Sequence, residues 1–241
     1  MRINADTCVA CGQCIPYCPV QAIKDQGCSV AVDEPSCVEC GVCKRSGVCP
    51  VDAFEEPHLE WPRILRSLFS NPITVHPGTG VAGRGTEELK TNDVTNRFAL
   101  GEVGFGVEMG RPNMGTTFRE LEKVTIALAP LGVKFEPKNP VTILMEDPST
   151  GRLREDVLDE RVLTAIIEFT VPESKALEVL KVLEGAAGSI DTVFSLDVIN
   201  RMPPAGEPPA LQLLRDHGYY LSPNGKVCIG IGRPSSGGEG S

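Results

Sequence analysis

Nine of the ten cysteines in this chain lie between Cys8 and Cys49, and eight of them form two runs of similar spacing. Cys8, Cys11, Cys14 and Cys18 read C-x2-C-x2-C-x3-C and are followed by Pro19. Cys37, Cys40, Cys43 and Cys49 read C-x2-C-x2-C-x5-C and are followed by Pro50. Three thiolates spaced by two residues sit on one tight loop whose backbone N–H groups also point inward, so a single turn can bind three irons of an iron-sulfur cube. The fourth iron needs a ligand from elsewhere. In an arrangement of two cubes the last cysteine of each run crosses to the other one. By that rule Cys8, Cys11, Cys14 and Cys49 hold one [4Fe-4S] cluster, and Cys37, Cys40, Cys43 and Cys18 hold a second.

Two other uses of dense cysteine fit less well. A small secreted domain would spend them on disulfides. The opening Met1-Arg2-Ile3-Asn4-Ala5-Asp6 lacks the basic segment and apolar stretch of a signal peptide, and no later stretch is apolar for long enough to span a bilayer. The expectation is a cytoplasmic protein with reduced thiols. Zinc often binds paired C-x2-C units, but each run here has four cysteines, a closing Pro and no His nearby. Cys28 and Cys228 fit neither run and are expected to be small buried side chains.

The runs are also an internal repeat. "DTCVACGQCIPYCPVQAI" parallels "PSCVECGVCKRSGVCPVDAF", with the first three cysteines offset by 29 residues and the last by 31. Residues 1 to about 56 resemble the bacterial-type dicluster ferredoxin family on these motifs. The resemblance implies a pseudo-twofold pair of β-hairpins with short helices beginning near Cys18-Pro19 and Cys49-Pro50, and a low-potential electron carrier. The longer third gap of the second run, Lys44 to Val48, departs from the pattern. So short a module buries too little apolar surface for comfortable stability, and metal ligation would supply much of the remainder.

The elements beyond residue 56 place this module on a larger α+β chain. Residues 57–95 form a linker, in which Ile64, Leu65, Leu68 and Phe69 share one helical face and Trp61 packs between domains. The same linker carries G-x-G-x-x-G at Gly78, Gly80 and Gly83, a pattern that can cradle a phosphate, with Arg84 and Lys90 as helpers, or can simply be a flexible turn.

Over residues 96–202 the order strand, helix, strand, strand, helix, strand predicts a split βαβ sandwich. Its strands are expected at "EVGFGVEM", half-buried, at "VTILM" over 141–145, at "ERVLTAIIEFTV" and at "TVFSLDVI". Thr117 and Glu120 have capping-box spacing for the first helix, and Gly185 is placed to end the second. Residues 203–234 read as a helix and a hairpin turning at Asn224-Gly225, and 235–241 as a disordered tail. Gly110-Arg111-Pro112 recurs as Gly232-Arg233-Pro234, two arginines that could each grip a carboxylate or phosphate.

Net charge is −9, which disfavours nucleic acid as a partner. Residues 1–60 hold nine acidic side chains against four basic ones, so a basic patch on a redox protein is the natural complement. No nucleophile elbow or second metal motif follows the cysteine runs, and His58, His76 and His217 stand alone. The expected function is an electron-transfer subunit of an anaerobic oxidoreductase complex, non-catalytic itself. Its partner would be a catalytic or flavoprotein subunit, and the α/β domain a surface for partners or oligomerisation. A self-contained reductase of a small anionic substrate, or a redox or metabolite sensor, are the alternatives.

Overall fold

The computed structural model describes residues 1–82, 89, 95–111 and 114–223. Gly83, Arg84, Lys90, Cys228, the Asn224-Gly225 turn, Arg233 and the tail lie outside the described residues.

The N-terminal module rests on four short strands, β1 (Arg2–Ile3), β2 (Ile23–Asp25), β3 (Val30–Val32) and β4 (Phe54–Glu55). β2 and β3 form a local antiparallel hairpin, whereas β1 pairs with β4 and so ties the entry of the first cysteine run to the exit of the second. The sequence repeat is written into the backbone. Ala10 and Gly12 take φ of 52° and 68°, and Glu39 and Gly41, offset by 29, take 53° and 68°. Gln21 and Asp52, offset by 31, take 53° and 49°. These left-handed turns, cheapest at the two glycines, fold each run tightly on itself.

The helices expected at Cys18-Pro19 and Cys49-Pro50 are instead β-turns, closed by Gln21 N–H donating to the Cys18 carbonyl (3.1 Å) and Asp52 N–H to the Cys49 carbonyl (3.4 Å). Pro second in a turn has its φ already set. Helical geometry comes earlier, as a 3-10 turn at Ile15–Tyr17 and as α1 (Val42–Arg45). The longer gap in the second run continues that helix, through Ser46 N–H to the Val42 carbonyl and Gly47 N–H to the Lys44 carbonyl. Cys28 is exposed at the tip between β2 and β3, because a hairpin tip has no second layer to cover it.

α2 (Ile64–Ser70) sends Leu65, Leu68 and Phe69 into the main core, where Phe69 meets Phe118 edge to face at 5.1 Å. Next come β5 (Glu102–Met109), β6 (Thr116–Thr117), α3 (Phe118–Leu128), β7 (Lys134–Phe135) and α4 (Pro140–Ile143). β8 (Met145–Asp147), β9 (Arg152–Leu153), β10 (Arg161–Val162), β11 (Ala165–Pro172), α5 (Ala176–Ala187), β12 (Phe194–Asn200) and α6 (Pro209–Asp216) complete the described part. The main sheet has the order β12-β5-β11-β7, every neighbouring pair antiparallel. Val103, Phe105, Val107 and Met109 of β5 and Ala165, Ile167, Phe169 and Val171 of β11 face the core shared with α3 and α5.

Several expected elements differ. "VTILM" is mostly helix, because the Asn139 side chain accepts the Val141 N–H (2.8 Å) and Pro140 supplies the first helical φ. Its place in the sheet is taken by β7. The long strand from Glu160 breaks at Leu163, whose N–H donates to Ser70 Oγ (2.8 Å), so β10 pairs with β6 and only β11 joins the main sheet. β5 is buried on both faces rather than one. Gly104 lets Leu89 and Phe98 lie against the second face. Thr117 caps α3 by accepting the Glu120 N–H (3.4 Å), but Glu120 turns its carboxylate to Lys123 and the Asp191 N–H. Gly185 lies inside α5, which runs on to Ala187.

Candidate iron-sulfur site

The two cysteine runs converge on two recesses. One is lined by Cys8, Cys11, Cys14 and Cys49, together with Val9, Gly12 and Val51. The other is lined by Cys18, Cys37, Cys40 and Cys43, together with Val20, Val38 and Gly41. Three thiols in each recess come from one run and the fourth from the other. The electrostatics divide the cysteines in the same way: Cys14 feels Cys8, Cys11 and Cys49, whereas Cys43 feels Cys18, Cys37 and Cys40.

Burial pushes the Cys14, Cys37 and Cys40 thiols up, and burial followed by repulsion from Cys40 pushes Cys43 up to about 12. Four sulfurs crowded into an apolar recess therefore resist ionisation unless a metal shares their charge. Iron ligation requires thiolates, so filling either recess displaces protons and is favoured as pH rises. Among the described residues, no three His, Cys, Asp or Glu side chains converge as a single metal ion would need. Thiols set around an open space suit a cube, whose ligands bind at four separate corners.

Backbone donors complete the recesses, also in repeat. The Ala22 N–H donates to Cys18 Sγ (3.1 Å) and the Ala53 N–H to Cys49 Sγ (3.3 Å). Both donors follow a residue at positive φ, so the strained Gln21 and Asp52 turns aim these amides at sulfur. Such N–H···S bonds favour the more negative, reduced state of a cluster.

The second recess carries features that spacing alone did not disclose. Arg66, buried in α2, donates to the carbonyls of Glu34 (3.1 Å), Pro35 (2.8 Å) and Cys37 (2.7 Å), and its Nε is paired with Glu160 of the α/β domain. Arg45 donates to the Cys40 carbonyl (2.8 Å) and to Asn71 Oδ1 (2.8 Å). Glu39, between Cys37 and Cys40, is buried against the Met1 ammonium and Arg63 (2.6 Å). Burial opposes its ionisation, but those two cations outweigh it and hold the carboxyl below the usual carboxylate range. The sequence signal for these contacts is Arg66 between the apolar residues of α2, with Arg63 as the residue before the helix.

Other sequence-predicted residues are engaged elsewhere. Gly78 and Gly80 form a tight turn in which their N–H groups donate to His76, at Nδ1 (3.2 Å) and at the carbonyl (2.8 Å). Arg111 is paired with Glu108 (2.7 Å). Trp61 is half exposed, yet its Nε1–H reaches Asp156 (2.5 Å) and Arg154 lies 4.6 Å over its ring, which ties Trp61 to residues 154–156. His76 is buried edge-on to Phe69, whereas His58 and His217 are exposed. Among the described residues, no helix is long and apolar enough to cross a membrane.

Comparison with known proteins points to the same kind of cofactor. Residues 1–24 match the family of 4Fe-4S binding domains. A ferredoxin-like protein in the vnf region of Azotobacter chroococcum mcd 1 is 42% identical over 60 residues, which span 24% of this chain and 92% of that protein. A ferredoxin of Rickettsia felis is 32% identical over 71 residues, 27% of this chain and 63% of its own length. With four-thiol recesses, inward amides and these relatives in agreement, the chain belongs, through its N-terminal module, to the 4Fe-4S ferredoxin family.

Proposed function

We propose that the chain holds two [4Fe-4S] clusters, ligated by Cys8, Cys11, Cys14 and Cys49 and by Cys18, Cys37, Cys40 and Cys43, and relays low-potential electrons. In this reading it is a non-catalytic subunit of an anaerobic oxidoreductase complex, standing between an electron donor and a catalytic subunit. The observation that carries the reading is the pair of recesses, each taking three thiols from one run and the fourth from the other. The clusters supply one-electron redox chemistry; the chain fixes their spacing, burial and N–H···S bonding.

The α/β domain is read as a split βαβ sandwich, supported by the sheet order β12-β5-β11-β7 with α3 and α5 packed on one face. That fold hosts many functions, so it argues for a platform rather than for a reaction. Anaerobic purification from the native host is expected to bring down stoichiometric partner subunits that can reduce or oxidise the chain. Turnover of an organic substrate by the isolated chain would instead identify a self-contained reductase, and metabolite-dependent oligomerisation without turnover would identify a sensor.

A further inference from the structure

The two recesses are alike in sequence but not in surroundings. Around the Cys8 recess, Cys11 is exposed, and two of the apolar lining residues, Val9 and Val51, are 59% and 37% exposed. Around the other recess Cys37, Cys40 and Cys43 are buried, as Cys14 is in the first, Cys18 is half-buried and none is exposed, and Cys40 and Val38 pack against Leu163. A repeat that would by itself offer two equivalent sites is thus made unequal by the domain that follows it.

Charge divides them in the same sense. Residues 3–14 and 46–60, which supply most of the first recess, contain Asp6, Asp52, Glu55, Glu56 and Glu60 and no Lys or Arg, and Lys44 pairs with one of these acids, Glu56 (3.4 Å). All five of those acids are exposed. The second recess instead has Arg45 and Arg66 on the carbonyls of its own ligands Cys40 and Cys37. Those cations are not bare, since Arg66 is paired with Glu160 and the Glu39 carboxylate lies buried between Cys37 and Cys40, so the outward acids set the charge that a partner meets.

We propose that the site lined by Cys8, Cys11, Cys14 and Cys49 is the port for electron exchange with an outside redox protein, one that presents an apolar contact ringed by Lys and Arg. This rests on the electron-carrier reading above. One partner would lose the electron that the other gains, so the exchange balances with no proton or other co-reactant. The exposed valines supply the apolar centre of the contact, and the surrounding acids steer a basic partner to it.

The test uses the cluster-loaded chain under anaerobic conditions. Stepwise breakdown of the clusters with ferricyanide and EDTA, followed by iodoacetamide and peptide mass mapping, is expected to label Cys8, Cys11 and Cys14 several-fold sooner than Cys37, Cys40 and Cys43. Labelling of both sets at one pace, or the inner set first, would overturn the port. Cys18 appearing with the early set in place of Cys49 would keep the port and overturn the crossed ligation. Protein that takes up no iron would overturn the carrier reading along with it.

Cytochrome c, a basic haem protein, serves as the docking probe. In stopped flow at low salt, Asp6→Lys is expected to slow its reduction by the chain several-fold, while Glu178→Lys, the same charge change on exposed α5, leaves the rate within about twofold of the parent. Equal slowing by both would show that net charge acts and not this surface. Iron content is measured for each variant, and if Asp6→Lys loses iron it is replaced by Asp52→Asn, with Glu178→Gln as the control of equal charge change.

Discussion

Replacing Cys18 by Ala is expected to remove the iron of the recess lined by Cys37, Cys40 and Cys43, and to leave the recess beside Cys18's own run loaded. The expectation is counterintuitive by sequence, since Cys18 stands four residues from Cys14 and nineteen from Cys37. It follows from where the chain turns. The left-handed residue at Gln21 and the turn closed on the Cys18 carbonyl carry this thiol away from its own loop and towards α1. There it joins the group that repels ionisation at Cys40 and Cys43. A cube left with three protein ligands loses an iron or breaks down, and buried thiols without metal are costly to keep as thiolates. The mirror variant, Cys49→Ala, is expected to empty the Cys8 recess. Iron quantitation with alkylation of the freed thiols reads the outcome, and loss from the Cys8, Cys11 and Cys14 set after Cys18→Ala would contradict the crossed arrangement.

The second large effect is expected at Arg66. Its guanidinium is buried, satisfies three carbonyls of the segment leading into Cys37 and is paired with Glu160. Arg66→Met keeps the apolar stem but strands the Glu160 carboxylate and those carbonyls. Breaking one side of a buried pair typically costs about 3–5 kcal/mol, more than the net worth of the pair itself, because the abandoned charge remains desolvated. Chemical denaturation of the loaded protein should show that loss, and chelator-driven iron release should quicken at the Cys37 recess before the Cys8 recess. Arg66→Lys is expected to recover only part of it, since a single ammonium cannot reach at once the carbonyls that share Nη1 and the carboxylate that Nε meets. Pairing Arg66→Met with Glu160→Gln should be less damaging than the sum of the two alone. Unchanged stability and unchanged iron release in Arg66→Met would show that the two domains do not depend on this contact.

The cysteine site was legible in the sequence because its determinants are local: three residues of one type at fixed short spacing, closed by Pro, repeated at a nearly constant offset. The main sheet was legible where a strand's alternation was strong, as at Val103, Phe105, Val107 and Met109. Failures arose where a local signal competed with capping or tertiary contact. "VTILM" has the β-branched composition of a strand, but Asn139 and Pro140 start a helix there and the neighbouring Lys134–Phe135 fills the sheet position. The run from Glu160 reads as one strand because nothing local announces that Ser70, 93 residues earlier, takes the Leu163 N–H. Arg66 escaped notice for the same reason. Its partners are distant backbone carbonyls, which leave no mark on residue type.

The inequality of the two recesses is likewise absent from the repeat. It arises when Leu163 and α2 pack against one copy and leave the other at the surface. A symmetric pair of cysteine motifs thereby acquires an inside and an outside.

Iron and acid-labile sulfide, counted on anaerobically prepared chain and accompanied by an EPR spectrum before and after reduction, test the account at its base. Two cubes in the two recesses predict about eight irons and about eight sulfides per chain, with a signal that appears on reduction. About four of each, zinc in place of iron, or a sample silent to reduction would contradict it.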